Sequence, residues 1–125
     1  MKNQLKNYRE AEKYAKAAGA RGQIAYINFH MGIAYMNEGK LDSALLLIKK
    51  AISAFSDLKD RKGAGRAMKY LGDTYEKMED FDLAANTILQ AIAILKETND
   101  HLHLGLAYIS FSRVFTDLKK NDSAL

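Results

Sequence analysis

The sequence predicts an all-α fold, a stack of antiparallel helical hairpins, and three observations predict it. The chain matches itself at an offset of 40 residues. Within each half of that repeat, apolar residues recur at i, i+3, i+4 and i+7, the stripe of an amphipathic helix. The 125 residues contain no proline, so the strongest helix breaker is missing and long helices with short turns are favoured.

The repeat comes first, because a missed period misreads the whole fold. Residues 21–60 lie over residues 61–100 with nine identities: Arg21/Arg61, Gly32/Gly72, Tyr35/Tyr75, Asp42/Asp82, Ala44/Ala84, Ile48/Ile88, Ala51/Ala91, Ile52/Ile92 and Asp60/Asp100. Most fall on small or apolar positions that stacked helices would bury. A third copy starts at His101. Gly65-Arg66-Ala67 recurs as Gly105-Leu106-Ala107, Leu71 and Tyr75 become Phe111 and Phe115, and Asp82 and Ala84 recur as Asp122 and Ala124. Leu5 and Ala11 stand one period before Leu45 and Ala51, so residues 1–20 read as the second helix of a partial repeat. The organisation expected is one domain: a partial repeat over 1–20, full repeats over 21–60 and 61–100, and a partial repeat over 101–125.

Each full repeat splits into two helices. The first run from Arg21 to Asn37 and from Arg61 to Met78; at ~1.5 Å per residue each is about 25 Å long. The second carry Leu41, Ala44, Leu45, Ile48, Ala51, Ile52 and Phe55, then Phe81, Ala84, Ala85, Ile88, Ala91, Ile92 and Leu95. Asp60 and Asp100 stand where an N-cap is wanted. Asp42 and Asp82 fall in a first turn, where the macrodipole favours an acid. Gly39 suits a left-handed helix end. Its counterparts Glu79 and Lys119 do so less cheaply, so those turns are expected to differ. A helix is expected to begin at Asn121-Asp122-Ser123-Ala124-Leu125.

This pattern resembles the tetratricopeptide repeat, whose first helix carries a large apolar residue, then Gly, then Tyr three further on, and whose second helix carries small residues. Here these are Met31-Gly32 and Tyr35 with Ala44 and Ala51, Leu71-Gly72 and Tyr75 with Ala84 and Ala91, and Phe111-Ser112 and Phe115 with Ala124. The resemblance covers nearly the whole chain and implies a right-handed α-α superhelix. It departs in period, 40 residues against the family's usual 34. Asn28, Met68 and Tyr108 replace the usual Trp, and Ser56 and Lys96 replace the usual Pro. The long-period variant resembles repeats of signalling scaffolds and bacterial regulators. A solenoid needs polar caps, and neither end reads as one; a fragment of a longer protein is the expectation, with a small protein dimerising through open ends as the alternative.

Composition excludes several classes. Apolar residues make up 48% and charged residues 27%, an ordinary globular balance. The absence of cysteine excludes disulfides and thiolate metal sites. No run approaches the roughly 18 apolar residues of a membrane span. The polar start MKNQLKNYREAEKYAK is no secretory signal; a cytoplasmic location is expected, and an export signal would have to lie upstream. Net charge is +4, but lysines and acids alternate along the chain. A nucleic-acid groove needs a concentrated basic face. The densest run, Lys59, Arg61, Lys62, Arg66 and Lys69, reads as a solvated, partly salt-bridged face with Lys69–Asp73 at i, i+4, so nucleic acid is disfavoured.

No catalytic, cofactor or metal site is expected. Gly63-Ala64-Gly65-Arg66-Ala67-Met68 lacks the strand and third small residue of a dinucleotide loop, and reads as a flexible turn between repeats. His101 and His103 face different ways on a helix, and His30 reads as packing or surface. Glu76, Glu79, Asp80 and Asp82 read as solvation of helix ends; Ser43, Ser53 and Ser56 lack a nucleophile's setting.

What remains is binding. The resemblance implies that the inner face of the first helices takes a peptide or helix. Carried across by repeat position, that face is Tyr26, Phe29, Ile33 and Met36, then Arg66, Lys69, Asp73 and Glu76, then Leu106, Ile109, Arg113 and Thr116. It would hold an amphipathic segment anchored by Tyr26 and Phe29 and oriented by Arg66 and Lys69; the alternative is that Tyr26, Phe29 and Ile33 pack on the Leu5–Ala18 helix or on preceding repeats. An acidic chaperone tail is argued against, because Phe29, Ile33, Leu106 and Ser110 stand where the family's tail clamp carries polar and basic side chains. The expected function is a protein- or peptide-binding scaffold in a regulatory or signalling protein.

Overall fold

The computed structural model describes residues 2–124, and their side chains over 5–121. It consists of six helices: α1 Lys2–Ala17, α2 Arg21–Asn37, α3 Leu41–Asp57, α4 Arg61–Lys77, α5 Phe81–Glu97 and α6 His101–Ala124. Neighbours in sequence pack as neighbours in space. In addition α2 touches α4 and α4 touches α6, whereas among the described residues α3 and α5 do not touch each other. The stack therefore curves with α2, α4 and α6 inside and α3 and α5 outside.

Small residues let the helices of a hairpin meet. A Cβ built on Gly32 would lie 2.6 Å from Ile48 Cγ1 and 3.3 Å from the Ile48 backbone nitrogen. One on Gly72 would collide with Ile88 Cγ1 and reach 3.4 Å from the Ala84 carbonyl oxygen. Ala44, Ile48, Ala84 and Ile88 are fully buried. Close-packed interiors leave no slack for an added methyl group at such a crossing.

The segment Gly63–Met68 is not a turn. It forms the first turns of α4, and its glycines admit neighbouring side chains: a Cβ on Gly63 would meet Phe55 Cδ1 at 2.6 Å, and one on Gly65 would meet Ile94 Cγ2 at 2.8 Å. Glycine disfavours a helix by about 1 kcal/mol per residue, but burial of Phe55, Ala64 and Ala67 outweighs that cost.

The turns are alike where they were expected to differ. Gly19, Gly39, Lys59, Glu79 and Asn99 all take positive φ, between 55° and 80°. In each, the next N–H bonds five residues back, as Lys40 to Tyr35 at 3.0 Å and Asp80 to Tyr75 at 3.0 Å. Glu79 thus accepts a left-handed conformation that disfavours a side chain by roughly 1–2 kcal/mol, because two backbone hydrogen bonds and the packing of α5 offset it. Lys119 has no such turn: α6 runs on through it to Ala124. A break there would need several turns of packed helix beyond it to compensate, and a few residues cannot nucleate one. The side chains of Asp122 and Ala124 lie outside those described.

Caps sit where the acids were expected. Asp60 accepts from the Gly63 N–H at 2.9 Å and Asp100 from the His103 N–H at 3.3 Å. Asp80 caps α5 by accepting from the Leu83 N–H at 3.4 Å, a role beyond the solvation read for it. No helix among the described residues is long and apolar enough to cross a membrane.

Candidate binding face

The face shared by α2, α4 and α6 changes character along its length. At the α2 end Tyr26 is 54% exposed, its ring 4.3 Å from that of His30 and 6.4 Å from that of Phe29. Phe29 is buried, edge-on to Phe55 at 6.3 Å and Tyr70 at 5.4 Å, so it is a core residue and no free anchor. Ile33 is half-buried and Met36 buried. His30 stacks on Tyr8 of α1 at 6.2 Å, and its Nε2 is buried without a hydrogen-bond partner. Burial holds its pKa below the ordinary 6.5, since a low-dielectric site disfavours the charged ring.

The middle is an ion-pair network between α4 and α6. Lys69 Nζ lies 2.7 Å from Asp73 Oδ2, with both side chains at most 10% exposed. Arg113 donates from Nε to both Glu76 oxygens at 2.8 Å and from its Nη2 to Asp73 Oδ1 at 3.2 Å. The hydrogen bond to Glu76 raises the Arg113 pKa. Bidentate pairing of this kind fixes orientation as well as charge. Lys69 also lies 4.3 Å from the centre of the Tyr70 ring. It is consequently neutralised and covered, unlike the exposed orienting group expected of it.

Arg66 is engaged as well. Its Nε donates to Asp100 Oδ2 at 2.6 Å, while His103 Nδ1 lies 3.1 Å from Asp100 Oδ1. Burial alone would raise the Asp100 pKa, but the hydrogen bonds from Arg66 and His103 overcome it and lower the value from 3.8 to about 2. Arg61 pairs with Glu97 at 2.7 Å. Three cations of the basic run are thus tied to carboxylates, leaving no concentrated field for a phosphate backbone. In α6, Leu106 is half-buried, Ile109 is 62% exposed, and Thr116 donates to the Ser112 carbonyl at 3.0 Å.

A cavity of about 580 Å³ opens beside the network. It is lined by Met36 of α2, Asp73 and Glu76 of α4, Phe81 of α5, and Arg113 and Asp117 of α6. Met36, Asp73, Glu76 and Arg113 were placed on one face by repeat position alone, and the structure brings them to one cavity. Asp117 was missed, although its i, i+4 spacing from Arg113 was a signal; Phe81 gave none, because it comes from an outer helix. Among the described residues no three His, Asp or Glu side chains are grouped to hold a metal ion.

A sequence profile of the tetratricopeptide repeat matches residues 23–97, more than half the chain. No curated protein matches it significantly.

Proposed function

The chain belongs to the tetratricopeptide repeat family, and from that membership we propose that the face of α2, α4 and α6 reversibly binds an amphipathic segment of a partner protein. Repeats of this family mediate protein–protein interaction and form non-catalytic scaffolds. The observation that carries the placement is the cavity to which Met36, Asp73, Glu76 and Arg113 converge from three helices. Its volume lies in the range of about 300–1,000 Å³ usual for binding pockets. Tyr26 supplies an exposed ring at one end; amphipathic rings of this kind often anchor interfaces. The paired charges of Glu76 and Arg113 set direction at the other end. Binding without chemistry is the activity this arrangement suits, and the long repeat, which resembles those of signalling scaffolds, supports a regulatory setting.

The test starts from peptides selected out of a random display library on the immobilised protein. Their affinity is then measured by fluorescence anisotropy against Tyr26→Ala and Arg113→Ala. Each substitution is expected to weaken binding by about fivefold or more, roughly the 1 kcal/mol of a contributing interface residue. Unchanged affinity in both variants would reject this face as the site.

A further inference from the structure

One stripe of α6 has no cover among the described residues. The stripe in α4 that corresponds to it is Gly65, Met68, Gly72 and Tyr75, and α5 closes over it: Ile94 and Leu95 fill the space at Gly65, and Ile88 that at Gly72. In α2, Ile48 of α3 closes over Gly32 in the same way. On α6 the stripe is Gly105, Tyr108, Ser112 and Phe115. Nothing lies within 4 Å of a Cβ position at Gly105. Tyr108 is 43% and Phe115 48% exposed, against 9% for Tyr75.

We propose that this stripe is a second docking surface, separate from the inner face, and that it takes an acidic amphipathic helix of a partner protein packed antiparallel to α6. The shape follows from the two covered copies. In both, the covering helix runs antiparallel and places its residues over the small ones of the stripe. Ser112 stands where the covered copies have Gly32 and Gly72. The covering Ile48 and Ile88 already sit too close for a Cβ there, so opposite Ser112 the partner must carry alanine or glycine. At Gly105 the space is open, and a leucine fits as Leu95 fits at Gly65.

The charge follows from the rim. Lys96 Nζ lies 5.8 Å from the centre of the Tyr108 ring, and Lys119 Nζ lies 5.1 Å from that of Phe115. Asp117 is the one acid in residues 101–121, and it lines the inner cavity instead. Lysines at the edge of an apolar stripe favour carboxylates on the helix that covers it. A second copy of this chain fits poorly. Its net charge is +4, and α1, the helix most like a covering helix by repeat position, carries five cations and two acids.

The experiment uses synthetic helical peptides of about 18 residues, long enough to fold when bound. One is glutamate-rich, with alanine to face Ser112 and leucine to face Gly105. The second replaces that alanine with isoleucine, and the third replaces its glutamates with lysines. Anisotropy is expected to show binding of the first. Affinity should fall by about tenfold, or about 1.4 kcal/mol, in the second peptide, in Ser112→Leu and in the pair Lys96→Glu with Lys119→Glu. Tyr26→Ala should leave it unchanged. Ser112, Lys96 and Lys119 are exposed, and far-UV circular dichroism checks that the variants fold. The proposal is overturned by no binding of the acidic peptide up to about 1 mM, or by equal binding of the lysine peptide. Binding sensitive to Tyr26 and not to Ser112 would also overturn it, as would self-association that Ser112→Leu abolishes.

Discussion

Alanine at position 72 should destabilise this protein, although alanine is the better helix former. By propensity alone Gly72→Ala gains about 1 kcal/mol. The new Cβ would collide with Ile88 Cγ1 and stand 3.1 Å from Cδ1. Ile88 is fully buried and has no free volume to turn into. Overpacking of this kind costs about 1–3 kcal/mol, so the net expectation is a loss of up to about 2 kcal/mol. Gly105→Ala is the control: helical, exposed, with nothing within 4 Å of its Cβ position. It should keep its gain of about 1 kcal/mol. Urea unfolding followed by circular dichroism reads both. Ile88→Ala alone should cost about 2–5 kcal/mol, and in that background Gly72→Ala should turn favourable, a coupling within the range of about 0.5–3 kcal/mol known for touching residues. Equal stabilisation by the two glycine substitutions, or no coupling to Ile88, would refute the close crossing as the role of Gly72.

Three further outcomes are expected. The Asp100 carboxyl, lowered from 3.8 to about 2, contributes stability above pH 3.8 that is lost as pH falls through 2. The shift sets a ceiling of about 2 kcal/mol, which solvent at the partly exposed Arg66 reduces to about 1; the stability difference between wild type and Asp100→Asn should shrink over that interval, and parallel curves would contradict the pairing. His30 is held neutral by burial, so stability should fall as pH drops below 6.5. His30→Phe should remove that part of the decline in acid melting curves, while an unchanged decline would place its origin elsewhere. Glu79→Gly should stabilise by a few tenths to about 1 kcal/mol, because glycine adopts the observed φ of 63° without a side-chain penalty; a lower melting temperature would contradict this.

Helix positions, the close crossings at Gly32 and Gly72 and the acid caps were legible in the sequence, because each rests on local spacing. Repeat position also carried Met36, Asp73, Glu76 and Arg113 to a common face. What periodicity reports is which side of a helix is apolar or charged, and not what covers it. Phe29 was therefore read as an anchor when Phe55 and Tyr70 enclose it, and Lys69 as an orienting charge when Asp73 and the Tyr70 ring cover it. The glycines at 63 and 65 were read through their propensity, but the bulk of Phe55 and Ile94 decides there. Glu79 and Lys119 occupy the same repeat position, yet one ends a helix and the other continues it. The difference lies in the packed helix that follows Glu79, which no local signal at either residue encodes.

The docking face is tested most directly by amide chemical-shift mapping of a display-selected peptide on the isotope-labelled protein. Shifts concentrated around Tyr26, Glu76 and Arg113 are the expected result; shifts confined to the outer surfaces of α3 and α5 would contradict it.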